Sequence, residues 1–209
     1  MNASIKEHAS APAHKRMSAA ERRDQILDVA RQLVADEGFA AVTMKRLAEG
    51  AGITRTVIYQ QVGELPRVLV EMVEREFARE TAAYLQSVAS HPGGGVIQFV
   101  AVMRDLLQAV GANPSTWRIL LLPPEGGPPE LHERLAESRA MVRAYLGESL
   151  RAAMKAGQLV VFANDMELGI HTIHVVAEEL IRLHLTDSKT YSSERVLEQV
   201  RVLSEGLFR

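Results

Sequence analysis

Ile26, Leu27, Ala30, Leu33 and Val34 recur at helical spacing, which predicts a first helix that opens at Ser18 and is stopped by Gly38. Ser18-Ala19-Ala20-Glu21 has the form of a capping box, with the serine accepting from a helix amide and the glutamate reaching back. Thr43 is placed to cap a short helix from Met44 to Glu49, Ala51-Gly52-Ile53 to turn the chain, and Thr54 to cap a third helix to about Gln61. Leu47, Ala48, Ile53 and Ile58 are the apolar pins that would lock both short helices against the first. Two short helices joined by a glycine-centred turn have the pattern of a helix-turn-helix. Residues 1–17 show no apolar period and read as a flexible arm.

After Gly63 the pattern lengthens. Pro66 suits the start of a long amphipathic helix to about Ala89, with Leu69, Val73, Phe77, Tyr84 and Val88 on one side. His91-Pro92-Gly93-Gly94-Gly95 reads as a loop, and a helix follows from about Val96 to Val110. Asn113-Pro114 starts a short helix through Trp117 and Leu121, residues 123–129 form a stiff Pro/Gly loop, and a helix spans about Glu130–Ala156. Asn164 or Asp165 caps a helix to about Leu185, and Ser192 or Ser193 caps the last one. Strand pairs with hairpin turns and internal repeats do not occur. The expected fold is all-α: a three-helix head over residues 18–64 and a helical-bundle regulatory and dimerisation body over 65–209.

Composition narrows the class. The chain is 47% hydrophobic and 24% charged, ordinary for a globular protein with a core. An uninterrupted apolar run near the ~18 residues that span a bilayer is not seen. The polar first 17 residues do not look like a secretory signal, and there is no cysteine for a disulfide framework, so a cytoplasmic protein without membrane partners is expected. Residues 1–63 hold nine Lys/Arg against seven Asp/Glu, whereas the rest holds 15 against 19. A mildly basic head on an acidic body would direct the head towards phosphates.

The chemistry of the third helix fits that bias. Its outward face would carry Arg55, Thr56, Tyr59 and Gln60, groups that read base edges and phosphates in a major groove. In this region the sequence resembles the TetR family of tetracycline-repressor-like regulators. The resemblance rests on Ile26-Leu27, Ala30, Leu33, Glu37-Gly38-Phe39, Thr43, Leu47-Ala48, Ala51-Gly52-Ile53, Tyr59 and Leu69. It implies base-reading positions at Lys45, Arg55, Thr56, Val57 and Gln60 and phosphate-contacting ones at Thr43 and Tyr59. Arg46 and Thr54 are assigned to the same DNA-facing set. The chain departs from the family's pattern at Gln61 and Val62, where histidine and phenylalanine are usual, and at Glu64-Leu65, where serine and a phosphate-binding lysine are usual. Thr56 stands where glycine is frequent.

The resemblance also implies a ligand cavity among the body helices, and the expected lining is Phe99, Met103, Leu107, Trp117, Leu121, Met141 and Tyr145. Each of these alone is as well explained by ordinary core packing. His171, His174 and Glu178 share one face of the penultimate helix, and three readings stay open: a metal site, pocket polarity, or interface and surface. The expected dimer interface is Ile173, Ala177 and Leu180 on that helix with Val196, Val200, Leu203 and Leu207 on the last. The same seam could instead pack inside one chain. His132-Glu133 lacks the second histidine of a zinc-protease helix because Ala136 stands there. Nucleophile elbow, phosphate loop and dinucleotide fingerprint are all missing, so neither an enzyme nor a cofactor is expected. The expected protein is a ligand-responsive regulator, most simply a repressor, that binds a palindromic double-stranded DNA operator as a homodimer and is released by a small, mostly apolar effector. An activator, a ligand-free nucleoid-type binder, or an adaptor using the 123–129 loop are the alternatives.

Overall fold

The computed structural model describes residues 17–92, 95–158 and 165–207. Its helices are α1 (Ala19–Glu37), α2 (Met44–Ala51), α3 (Arg55–Gln61), α4 (Leu65–Ser90), α5 (Gly95–Ala112), α6 (Pro114–Leu121), α7 (Pro129–Lys155), α8 (Met166–Thr186) and α9 (Ser193–Glu205). Among the described residues there is no strand, and the architecture is the all-α head and bundle read from the sequence. The predicted arm (apart from Met17), Gly93-Gly94 of the first loop and the Asn164 cap lie outside the described residues.

Local chemistry accounts for most boundaries. Both halves of the capping box form at α1: Glu21 N–H donates to Ser18 Oγ at 3.2 Å, and Ser18 N–H to Glu21 Oε2 at 2.7 Å. A single 3₁₀ turn, Phe39–Ala41, follows Gly38; no periodicity could announce it, and Phe39 inserts into the core, 5% exposed. Asp165 and Ser192 accept from amides in the first turns of α8 and α9.

One buried cluster joins head to body. It contains Ile26, Leu27, Ala30 and Val34 of α1, Leu47 and Ile58 of the short helices, and Val68, Leu69, Met72 and Val73 of α4. It also takes in Ile119 and Leu120 of α6 and Leu131 and Leu135 of α7. The boundary at residue 64 is therefore a change of role along the chain, with no gap in the packing. The loop at 123–129 is part of this joint. Gly126 sits at φ +73°, and a Cβ there would come 2.7 Å from the Cβ of Ala40 in the head. The loop thus seals head against body, and the surface available to an adaptor partner is correspondingly reduced.

A second cluster packs α5 (Met103, Leu107, Val110) on α8 (Ile181, Leu185) and α9 (Val196, Val200). Helix α5, with a mean hydropathy of 1.3 over its 18 residues, is long and apolar enough to cross a membrane by those criteria alone. Arg104, Asp105 and Gln108 interrupt its apolar sequence; Met103, Leu107 and Val110 pack with α8 and α9, Phe99, Val102 and Leu106 line the cavity, and Ile97 is exposed. A third cluster holds Leu150, Ala153, Ile170 and Ile173, with Leu207 packed against it.

Candidate nucleic-acid interface and the cavity behind it

The head holds its third helix rigidly outward. Thr43 Oγ accepts from the Arg46 amide at 3.2 Å and Thr54 Oγ from the Val57 amide at 3.4 Å, so both threonines cap. Capping uses the hydroxyl as an acceptor, which leaves each O–H to donate to a phosphate. Gly52 caps α2 in the left-handed conformation at φ +62°. Gly50 allows α2 to approach α1, since a Cβ there would lie 2.6 Å from Val29 Cγ1. Two side chains of α1 that sequence reasoning missed fasten the carbonyl ends of the short helices. Gln25 Nε2 donates to Ala51 O at 3.1 Å, and Arg23 donates to Gln61 O at 3.0 Å.

Ile58 is fully buried, which fixes the rotation of α3 and leaves Thr54, Arg55, Thr56, Tyr59 and Gln60 exposed; Tyr59 is 53% exposed. Val57 is half-buried at the edge of this face. Lys45 is exposed one helix earlier, with Glu49 at 3.8 Å, a distance that holds it loosely. Arg46 is placed differently. Its guanidinium grips both carboxylate oxygens of Glu37 and the Ala41 carbonyl at 3.2 Å, so it ties α2 to the end of α1 and is spent within the head. Two of the departures from the family pattern have a packing reason. Val62 is 2% exposed and serves as a core pin, and Leu65 packs against the same cluster, so neither presents a group to a phosphate.

Behind the head, α4 to α8 line a cavity of about 200 Å³. Of the expected lining, Phe99, Met103, Trp117, Leu121, Tyr145 and His174 border it. Leu107 does not: it is 2% exposed and packs into the α5–α8–α9 cluster. Met141, 37% exposed, and His171 lie outside it, because the face of α7 and α8 they occupy turns to the surface. Ile173 and Ala177, expected at a dimer seam, line the cavity. Polar groups on the wall are few. Arg139 donates to Glu178 at 3.2 Å, and His174 Nε2 lies 3.7 Å from the same carboxylate. Burial lowers the His174 pKa, with Glu178 opposing, so the imidazole is neutral at pH 7. The Nδ1 of His174 and the indole Nε1 of Trp117 are buried without hydrogen-bond partners among the described residues. Glu80, 9% exposed, also lines the wall; burial and then the charge of Glu76 raise its pKa. Among the described residues no three metal-binding side chains come together.

The last helix also turns differently from expectation. Val196 and Val200 face inward, 3% and 2% exposed, because α9 is held against α5. The chain leaves α9 after Glu205, and Leu207 folds onto the α7–α8 cluster. Leu180 is half-buried, and Leu203 alone of the expected residues stands largely exposed, at 42%. Other exposed apolar side chains on the two helices are Leu168, Val175 and Val176 on α8 and Val202 on α9.

A capped helix-turn-helix is thus seated on an all-helical body that holds a cavity. Residues 26–61 match the model for bacterial regulatory proteins of the tetR family. The HTH-type transcriptional repressor Rv1474c of Mycobacterium tuberculosis is 33% identical over 90 residues, covering 43% of this chain and 43% of that protein. The similarity thus spans less than half of the curated relative. The whole fold is shared with the fatty acid degradation regulator FadR of Bacillus halodurans, with a TM-score of 0.72 at 18% identity, covering 92% of this chain and 97% of that one. FadR of Bacillus subtilis, solved in complex with stearoyl-CoA, gives 0.73 at 15% identity over 86% and 96% of the two chains. The chain is thus similar to the tetR family in the segment of its head, residues 26–61, and to solved regulators in its whole fold.

Proposed function

We propose that this protein is a ligand-responsive repressor that binds an inverted-repeat operator as a homodimer and leaves it when a small, mostly apolar effector fills the cavity. The observation that carries the reading is that the cavity and the reading head share helices. Phe77 on α4 and Leu120 on α6 line the cavity, while residues of the same two helices pack with α1 in a single cluster. A ligand that favours one spacing of α4 and α6 shifts the head, provided it binds the two shapes with different affinity. Thr43, Lys45, Arg55, Thr56, Tyr59 and Gln60 then form the DNA face, and the exposed apolar strip of α8 and α9 joins two copies. Repression is supported by what the relative of the head is called, and an apolar ligand by the stearoyl-CoA held in one neighbour of the fold.

Selection of binding sites from random DNA tests the reading, followed by titration of the selected site with compounds that quench Trp117. A two-fold symmetric site, released over the concentration range of quenching, is the expected result. Selected sites without symmetry, or quenching that never changes operator affinity, would refute it.

A further inference from the structure

We propose that the cavity takes an uncharged, mostly apolar molecule whose polar end accepts from the Trp117 indole N–H and donates to His174 Nδ1, the pattern of an amide. This rests on the cavity being the effector site and names the effector's chemical class.

Among the described residues, three buried side-chain polar atoms have no hydrogen-bond partner: Glu71 Oε2, Trp117 Nε1 and His174 Nδ1. Glu71 lies outside the cavity, and its other oxygen already meets Arg23 at 2.6 Å and Arg67 at 2.9 Å. The other two atoms belong to side chains that line the cavity, from α6 and α8, each residue 7% exposed. Native interiors leave few such atoms, because a polar group dried without a partner forfeits its bonds to water. Two on the wall of one mostly apolar cavity mark where a bound molecule supplies what the fold does not. Helices α6 and α8 pack against each other, and Ala177, one turn along from His174, joins the same cluster as Trp117.

The two atoms require opposite groups. An indole nitrogen only donates, so Trp117 needs an acceptor. Burial keeps the His174 imidazole neutral, with one N–H and one bare nitrogen. Its Nε2 faces the Glu178 carboxylate at 3.7 Å, which favours the tautomer with the proton on that side. Nδ1 is then the bare nitrogen and needs an N–H or O–H. A primary amide offers both groups, whereas a ketone serves Trp117 alone.

Charge on the ligand is disfavoured by the rest of the wall. Besides His174, its ionisable groups are Glu80, Tyr84, Arg139, Tyr145 and Glu178, and Arg139 donates to Glu178 at 3.2 Å. An anion would meet two carboxyls and a single guanidinium that already has a partner. An ammonium group has no lone pair to offer the indole.

The test uses the full chain and four probes of one shape: hexanamide, 2-heptanone (methyl in place of the amide nitrogen), 2-methyl-1-heptene (methylene in place of the ketone oxygen) and hexanoate. Trp117 is the sole tryptophan, so the chain gives one indole N–H resonance. That resonance should move downfield with the amide and the ketone and stay near its place with the alkene. Calorimetric affinities are then compared as ratios, in which the different hydration of the probes cancels. Trp117→Phe should lower the ketone-to-alkene ratio about tenfold, and His174→Leu should lower the amide-to-ketone ratio by a similar factor. Thermal melts confirm that both variants fold, and the resonance of the wild type tests the indole contact without them. An indole N–H that ignores the ketone, ratios untouched by the substitutions, hexanoate binding more tightly than hexanamide, or no binding by any probe would overturn the proposal. A parallel operator titration separates the two readings. Amide binding that leaves operator affinity unchanged sinks regulation and keeps the polar site, whereas release by hexanoate alone keeps regulation and sinks the uncharged ligand.

Discussion

Thr116 on α6 donates a 2.7 Å hydrogen bond to Oε2 of Glu76 on α4, a carboxylate with no solvent exposure. The other carboxylate oxygen accepts from Arg75 at 3.2 Å, and Arg75 reaches Asp28 of α1 at 2.7 Å. Thr116 precedes Trp117 on the cavity wall, so three side chains connect that wall to the first helix of the head. Thr116→Val keeps the shape and removes the donor. A lost hydrogen bond to a buried charge should cost ~1.5–3 kcal/mol of stability, measurable as a lower urea midpoint. If the connection carries regulation, the ratio of operator affinities with and without effector should shrink towards one. A stability loss with an unchanged ratio would make Thr116 a structural residue only.

On the proposed DNA face, the resemblance assigns Arg55 to base reading and Tyr59 to phosphate. Tyr59→Phe should weaken binding to selected and scrambled DNA by a similar factor, because a phosphate contact carries no base information. Arg55→Ala should relax preference at particular positions, costing ~1–3 kcal/mol on the selected site if the contact is bidentate. Competition binding on both DNAs distinguishes the two. Identical losses for both variants on both DNAs would refute the assignment.

Much of this was legible in the sequence because helix periodicity and caps are local signals. Ser18, Thr43, Thr54 and Pro114 sit where the sequence pattern places them, and burial of Ile58 follows from the apolar pins. What failed was the choice between two partners for one apolar face. Val196 and Val200 have the spacing of a helix seam, and nothing in that spacing says whether α5 or a second chain fills it. Arg46 reads as a free cation until the end of α1 brings Glu37 to it, nine residues away in sequence. A usable signal was overlooked on α4, where Glu76 and Glu80 continue the buried row of Met72 at four-residue intervals. Acids on an apolar stripe are rarely buried without a reason.

The contact between Gly126 and Ala40 gives a prediction about the joint. Gly126→Ala must place a side chain in the left-handed region, at ~1–2 kcal/mol, and drive its Cβ into Ala40. The melting temperature should fall, by roughly 2–4 °C per kcal/mol for a chain of this size. Adding Ala40→Gly should relieve the clash and recover part of the loss, leaving the backbone strain. No recovery in the double variant would mean that the strain, and not the contact, sets the cost.

His174 makes stability depend on pH. Its pKa in the fold lies below the ordinary 6.5, chiefly because burial disfavours the imidazolium. The unfolded chain therefore takes up this proton first as pH falls. Its contribution is complete above pH 6.5 and is lost below it, until the folded pKa is reached, at no more than about 1.4 kcal/mol per pH unit. Urea midpoints at pH 7.5 and 5.5 should fall further for the wild type than for His174→Gln. Parallel falls would show that other groups dominate that window.

The last prediction separates protomer core from the proposed dimer face on a single helix. Val200 and Leu203 are one turn apart on α9, yet Val200 is 2% exposed against α5 while Leu203 is 42% exposed beside Val202. Val200→Ala removes buried methyl groups and should cost about 2 kcal/mol of protomer stability, leaving the oligomer intact at concentrations where the fold survives. Leu203→Glu should do the reverse. An exposed position tolerates glutamate with little change in protomer stability, but two carboxylates brought together across a two-fold axis repel and lose water. Light scattering should then report a monomer. Operator binding should weaken by about 10²-fold or more, since the second half-site contact is no longer made at high effective concentration. Because protomer and dimer stability are coupled by mass action, both variants need measurement across a range of protein concentrations. A Leu203→Glu protein that stays dimeric and binds operator normally would place the interface on another face. Dimer loss in Val200→Ala at full folding would mean that α9 cannot be divided into an inner and an outer side.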